Sequence, residues 1–150
     1  MRHAMVDHRP TLLAIDDEPG MLALVERFAR GLAFNVVCHH GGRGALEHIP
    51  QVHPDIVIVD LQMPDMSGMD VLRAIRQLDP ECAVVLMTGH ASVESAIDAV
   101  KLGALDYLTK PLDFERLRAL LFGVQKRIDR REKLLKLDLD VARQFVFHGM

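Results

Sequence analysis

The stretch Asp55-Ile56-Val57-Ile58-Val59-Asp60 sets four consecutive Ile and Val residues between two aspartates. A half-exposed strand alternates apolar and polar residues, whereas an unbroken apolar run of this length suits a strand covered on both faces. Four further short runs of the same character flank it: Thr11–Ile15, Phe34–Cys38, Cys82–Met87 and Leu105–Leu108. The segments between them carry helical periodicity. Met21, Leu22, Leu24, Val25 and Phe28 form one apolar stripe closed by Gly31, and Met69, Leu72, Ile75 and Leu78 form another that ends before Pro80. Ser92, then Ser95, Ala96, Ile97, Val100 and Leu102, gives a third with Gly103 as its stop, while Gly42–Ile49 gives the weakest helical signal. Strand and helix alternating five times predict an α/β fold, a doubly wound five-stranded parallel sheet with helices on both faces.

Composition sets the outer bounds. With 150 residues the chain is one domain in size, and 49% hydrophobic with 26% charged residues is ordinary for a globular protein. Eighteen basic against 21 acidic residues leave a net charge of -3, which excludes a chain that coats nucleic acid or binds membranes through a polybasic patch. No apolar run approaches the ~18 residues needed to span a bilayer. Met1–Pro10 is polar and has no leader-like apolar stretch, so a cytoplasmic location is expected, with Cys38 and Cys82 reduced.

The pattern changes after Leu112. Leu117, Leu121, Val124, Ile128 and Leu135 recur at helical spacings, with Arg131 interrupting the seam. Lys126–Lys136 carries six basic and two acidic residues, which reads either as a solvated face or as a linker helix that pairs with its copy. The expected organisation is a flexible N-terminus over 1–10, a folded domain over 11–123, and over 124–150 a linker helix leading into the start of a following domain.

In open parallel sheets ligands bind outside the carboxyl ends of the strands. The first strand ends in Asp16-Asp17-Glu18, the third in Asp60, the fourth in Thr88 and the fifth in Lys110-Pro111. One rim is thereby expected to gather three aspartates, a hydroxyl and an amine. Clustered carboxylates repel one another unless a cation intervenes, and oxygen-only ligands suit Mg²⁺. An aspartate beside Mg²⁺ can accept a phosphoryl group as an acyl phosphate, with lysine and threonine holding the phosphoryl oxygens. Each residue taken singly has a plainer reading: Asp16 and Asp17 as caps of the first helix, Asp60 as turn chemistry, Lys110 as an exposed loop residue. Their joint placement at four strand ends favours chemistry.

These residues carry a family resemblance over roughly 12–122. Leu13-Ala-Ile-Asp16-Asp17-Glu18-Pro19, Asp60-Leu-Gln-Met63-Pro64 with Gly68 following, Met87-Thr88-Gly89-His90, and Asp106-Tyr107-Leu108-Thr109-Lys110-Pro111 resemble the receiver domain of two-component response regulators. The resemblance implies a flavodoxin-like strand order 2-1-3-4-5. It implies Asp60 as phosphoacceptor from a sensor histidine kinase, and Mg²⁺ held by Asp17, Asp60 and the carbonyl of Gln62, with Asp16 acting mainly through water. Thr88 and Lys110 would bind phosphoryl oxygens, and Tyr107 would be an aromatic switch residue. More narrowly, Met87–Glu94 and Gly103–Lys110 are similar to the receivers of sigma-54-dependent activators, and Phe145–Met150 resembles the entry to their ATPase module. That likeness implies a missing output of ATPase plus DNA-binding domain. The apolar seam over Leu117–Leu135 leads us to expect a homodimer formed through the terminal helix, the face of the last two strand-helix units, or both. No G-x-x-x-x-G-K loop and no basic helix-turn-helix occurs, so direct nucleic-acid contact by these residues is not expected.

Two other classes compete. An aspartate-based phosphatase needs an acid-base residue where Gln62 stands, and Gln62 cannot serve near neutral pH. A nucleotide- or flavin-binding module needs a glycine- or hydroxyl-rich loop after the first strand, where this chain has three acids. Gly41-Gly42-Arg43-Gly44 lacks the Lys-Ser/Thr ending of a phosphate loop, and His39 and His40 adjoin no ligand at zinc spacing. A pseudo-receiver that acts through protein contacts without phosphorylation is the remaining alternative.

Overall fold

The computed structural model describes residues 9–148 in the backbone and 9–144 in the side chains. In chain order the elements are β1 (Thr11–Ile15), α1 (Pro19–Gly31), β2 (Asn35–His39), α2 (Gly42–Val52), β3 (Ile56–Asp60), α3 (Gly68–Leu78), β4 (Ala83–Thr88), α4 (Val93–Lys101), β5 (Asp106–Thr109) and α5 (Phe114–His148). The sheet order is β2-β1-β3-β4-β5 and every neighbouring pair is parallel, as the apolar runs and the family likeness imply. Of the N-terminal segment expected to be flexible, 1–8 lie outside the described residues. Pro10 is buried, and its carbonyl accepts the Asn35 N–H at 2.9 Å.

The two-residue period of a strand divides the core. Leu12, Ala14, Ile56, Ile58, Val85 and Met87 face α1 and α5, packing on Leu22, Val25, Ala29, Leu117, Leu121 and Val124. Leu13, Ile15, Val57, Val59, Val84 and Leu86 face the other way, onto Ala45, Ile49, Leu72, Ile75 and Ala99 of α2, α3 and α4. Each large side chain so buried stabilises the fold by roughly 1.5–3 kcal/mol. Cys82 belongs to the second layer and Cys38 is half-buried; both are free, and burial pushes the Cys82 thiol up to about 12.

The differences from expectation are local. β2, β4 and β5 each start and end one residue later than the runs Phe34–Cys38, Cys82–Met87 and Leu105–Leu108, and β3 spans Ile56–Asp60, with Asp60 its last residue as expected. α2 runs past Ile49 to Val52, taking Pro50 into its last turn, and closes on left-handed His53 (φ 51°), whose N–H reaches the Ile49 carbonyl at 2.9 Å. Ser67 and Ser92 cap α3 and α4 through their hydroxyls. Gly103 closes the α4 exit at φ 78°, a conformation that favours glycine.

The apolar seam read along α5 is used only in part. Leu117, Leu121 and Val124 are buried and Ile128 rests against the core, but every described side chain from 129 to 144 is exposed. Leu135, read as part of the seam, is 57% exposed. The sheet is shorter than the helix, so α5 outruns its own domain.

Candidate functional site

Parallel strands deliver their last residues to one rim. Among the described residues, the buried polar or charged side chains are Asp16, Asp60 and Thr88, and all three sit at that rim. Asp16 follows β1 and donates its N–H to the His39 carbonyl at 3.1 Å, which continues the sheet one residue past the strand. Asp60 ends β3 opposite Met87 of β4. Thr88 ends β4, and its carbonyl accepts the Lys110 N–H at 2.8 Å, so β5 hands Lys110 to the same edge.

One ammonium faces three carboxylates here. Lys110 Nζ lies 3.2 Å from Asp16 Oδ2, 3.3 Å from Asp60 Oδ2 and 3.0 Å from Glu18 Oε1. Ligand oxygens of Asp16, Asp17 and Asp60 all fall within 4.8 Å of one another. Burial is the main reason that the Asp16 carboxyl is raised above its ordinary range, and the charge of Asp60 adds to it; the Glu18 N–H and Lys110 oppose it only in part. Burial alone would lower Lys110, yet the bonds to Glu18 and Asp16 hold it above the usual lysine range. The rim therefore keeps a surplus of negative charge that a single lysine does not cancel.

The backbone around Asp60 is tightly fitted. The Gln62 N–H reaches Asp60 Oδ1 at 3.3 Å, while the Gln62 side chain is exposed. Gly68 N–H bonds the Leu61 carbonyl at 2.9 Å, and a Cβ at Gly68 would stand 2.4 Å from the Asp60 carbonyl oxygen. Only glycine lets α3 begin that close to the strand end. Asp17 is exposed and, with Gln62, Met63, Glu94 and Asp98, lines an open cleft that runs from the rim towards α4.

The helix-cap reading of the acidic pair is not realised: α1 starts after Glu18 with no side-chain cap bond, and Asp16 Oδ1 instead accepts the N–H of Glu18 itself at 2.9 Å. Thr88 Oγ1 accepts the His90 N–H at 3.0 Å. Tyr107 is half-buried, and its hydroxyl meets Ser95 Oγ and accepts the Ser92 N–H at 3.4 Å. His39 and His48 pair with each other, Nε2 to Nδ1, at 2.9 Å. The Gly41–Gly44 run is the entry to α2, and Asp65 from the β3–α3 loop accepts the Gly42 and Arg43 N–H groups at 3.2 and 3.0 Å.

Sequence reasoning brought Asp16, Asp17, Asp60, Thr88 and Lys110 to one rim, and the structure places them there. It missed the bond of Glu18 to Lys110 and the Ser95 partner of Tyr107. Glu18 sat in plain view in the acidic run, but nothing in a linear sequence says which carboxylate meets a lysine 92 positions away.

A model of the response regulator receiver domain matches residues 12–122. The chain belongs to that family. Transcriptional regulatory protein ZraR of Escherichia coli is 40% identical over 121 residues, 81% of this chain and 26% of ZraR. Regulatory protein LuxO of Vibrio cholerae is 35% identical over 130 residues, 87% of this chain and 28% of LuxO. The signal receiver domain of a protein assigned as a Luxo repressor from Vibrio parahaemolyticus superposes with a TM-score of 0.77 at 32% identity, covering 84% of this chain and 97% of that one. This receiver thus spans about a quarter of the length of the curated relatives it matches. Receiver domains bind Mg²⁺ at an acidic pocket, and the hard oxygen donors and surplus charge of Asp16, Asp17 and Asp60 fit that ion. No helix among the described residues is long and apolar enough to cross a membrane.

Proposed function

We propose that this receiver accepts a phosphoryl group on Asp60 from a sensor histidine kinase and, through the resulting change of conformation, controls an attached or partner output. The observation that carries this reading is the convergence of three carboxylates with Lys110 on one buried rim, 3.3 Å separating the lysine from Asp60. Asp17, Asp60 and the Gln62 carbonyl would hold Mg²⁺, with Asp16 behind them. When bound, the ion would supply positive charge to the phosphoryl oxygens during transfer. In that transfer an Asp60 carboxylate oxygen forms the new bond to phosphorus. The bond from phosphorus to the donor's imidazole nitrogen breaks, its electron pair stays on nitrogen, and solvent supplies that nitrogen's proton. Lys110 would pair with one phosphoryl oxygen and the Thr88 hydroxyl would donate to another. Lys110 must turn from a present carboxylate to do so, whereas the Thr88 hydroxyl can donate its proton while its oxygen still accepts the His90 N–H. Tyr107 would then respond through its bonds to Ser92 and Ser95, coupling the rim to the start of α4.

Two features support the wider reading. The similar proteins are named as regulatory proteins, ZraR as a transcriptional one, and are about three times as long as this chain, which fits an attached output of ATPase and DNA-binding domains. The exposed leucines of α5 fit a homodimer built on that helix. A cytoplasmic location suits such a regulator.

Intact mass after incubation with a small acyl-phosphate donor tests the chemistry. One phosphoryl group should appear with Mg²⁺ on wild type, and none without metal or on Asp60→Ala. No gain on wild type with Mg²⁺ would leave a pseudo-receiver, and repeated turnover of a phosphoester would make it a phosphatase.

A further inference from the structure

We infer that Glu18 is a positioning residue whose carboxylate occupies Lys110 in place of the phosphoryl oxygen until that oxygen arrives. The inference rests on the receiver reading and adds to it a residue that sets how readily the lysine is released. Three carboxylates hold Lys110, but they are not equivalent. Asp16 and Asp60 are buried at the rim and belong to the group that would hold Mg²⁺, so an ion there draws on the same carboxylates that now face the ammonium. Glu18 is outside that group. Its side chain is 65% exposed, it stands on the last residue before α1, and it makes the shortest of the three contacts, 3.0 Å against 3.2 and 3.3 Å.

Geometry gives the contact its role. Asp16 Oδ1 accepts the Glu18 N–H at 2.9 Å, which fixes the backbone from which the Glu18 side chain reaches over the rim. Lys110 is tethered by its own N–H to the Thr88 carbonyl and keeps only 14% of its side chain exposed. The ammonium therefore has a short range, between the buried carboxylates below and Glu18 above. A phosphoryl group on Asp60 offers an oxygen within that range, and the lysine must leave Glu18 to use it fully. An exposed ion pair of this kind is weak, so the competition tunes the site rather than closing it.

The test compares wild type with Glu18→Gln and Glu18→Asp, reading the affinity for beryllofluoride at saturating Mg²⁺ by NMR titration, with Mg²⁺ binding and the melting temperature of each protein measured alongside. Glutamine removes the charge and leaves the ammonium only a neutral acceptor. Aspartate keeps the charge but shortens the reach by about 1.5 Å, one carbon–carbon bond, and so loses the contact. Both variants should bind the phosphoryl analogue roughly two- to fivefold more tightly, with unchanged melting temperatures, as expected for loss of a competing surface pair. Tightening in Glu18→Gln alone would overturn the inference, because a general field effect would then suffice. No change in either variant, or weaker binding in either, would also overturn it. Failure of wild type itself to bind Mg²⁺ and beryllofluoride would instead overturn the receiver reading, and this inference with it.

Discussion

The two rims of the sheet handle charge in opposite ways. At the carboxyl rim, buried Asp16 and Asp60 share one lysine with Glu18 and leave Asp17 without a cation among the described residues, so negative charge stays in surplus. At the amino rim, Arg76 spends its donors on four carbonyls, those of Leu102, Pro80, Cys82 and Gly103, at 2.7–3.3 Å. Asp55 at the same end accepts the Thr11 N–H at 2.8 Å. The amino rim is electrostatically finished and ties α3, β4 and the exit of α4 together. The carboxyl rim is unfinished in a way that only a cation completes. Stability is concentrated at one end of each strand, and reactivity at the other.

Substitutions at the finished rim should therefore weaken the fold, and those at the unfinished rim should strengthen it. Arg76→Ala removes four charge-assisted bonds and leaves carbonyls without donors, so it should destabilise by about 2–3 kcal/mol in urea unfolding. A value near zero would mean that water replaces the guanidinium. Mg²⁺ at ten times its dissociation constant should stabilise wild type by about 1.4 kcal/mol, read as a rise in melting temperature that Asp60→Ala diminishes.

Asp16→Asn should stabilise the metal-free protein by about 1 kcal/mol, because it removes a buried charge while leaving a hydrogen-bond acceptor. Its pH dependence follows from the raised Asp16 carboxyl. A carboxyl held above its unfolded value binds more protons when folded, so its charged form weakens the fold fully above the folded pKa and not at all below the unfolded one. The advantage of Asp16→Asn should accordingly be largest near neutral pH and shrink as pH falls. A constant difference from pH 7 to pH 3 would break the contrast between the rims. Leu135→Ala should change monomer stability least, within ±0.5 kcal/mol, since that side chain is 57% exposed. A larger loss that depends on protein concentration would reveal a partner for the outer half of α5.

Much of this contrast was legible in one dimension. The run at 55–60 announced a strand buried on both faces, and the carboxylate that closes it announced a rim. Gly103, Ser92 and Pro80 marked helix ends where helices do end. The α2 signal was weak because Gly42, Gly44 and Pro50 all disfavour helix interiors, and Asp65, distant in sequence, caps that helix from another loop. Leu135 looked like seam because periodicity records which residues share a helix face. It does not record where the neighbouring layer stops.

Sequence by itself determined the alternation of strands and helices, the parallel sheet and the gathering of acids, hydroxyl and amine at one edge, because apolar runs and strand-end residues are local facts. Tertiary structure alone decided which partners these groups take: Glu18 on Lys110, Ser95 on Tyr107, Arg76 on four carbonyls. It also decided that α5 leaves the core after Ile128. Pairings of charge and extents of burial depend on distances between segments far apart in the chain, and only the packed sheet sets those distances.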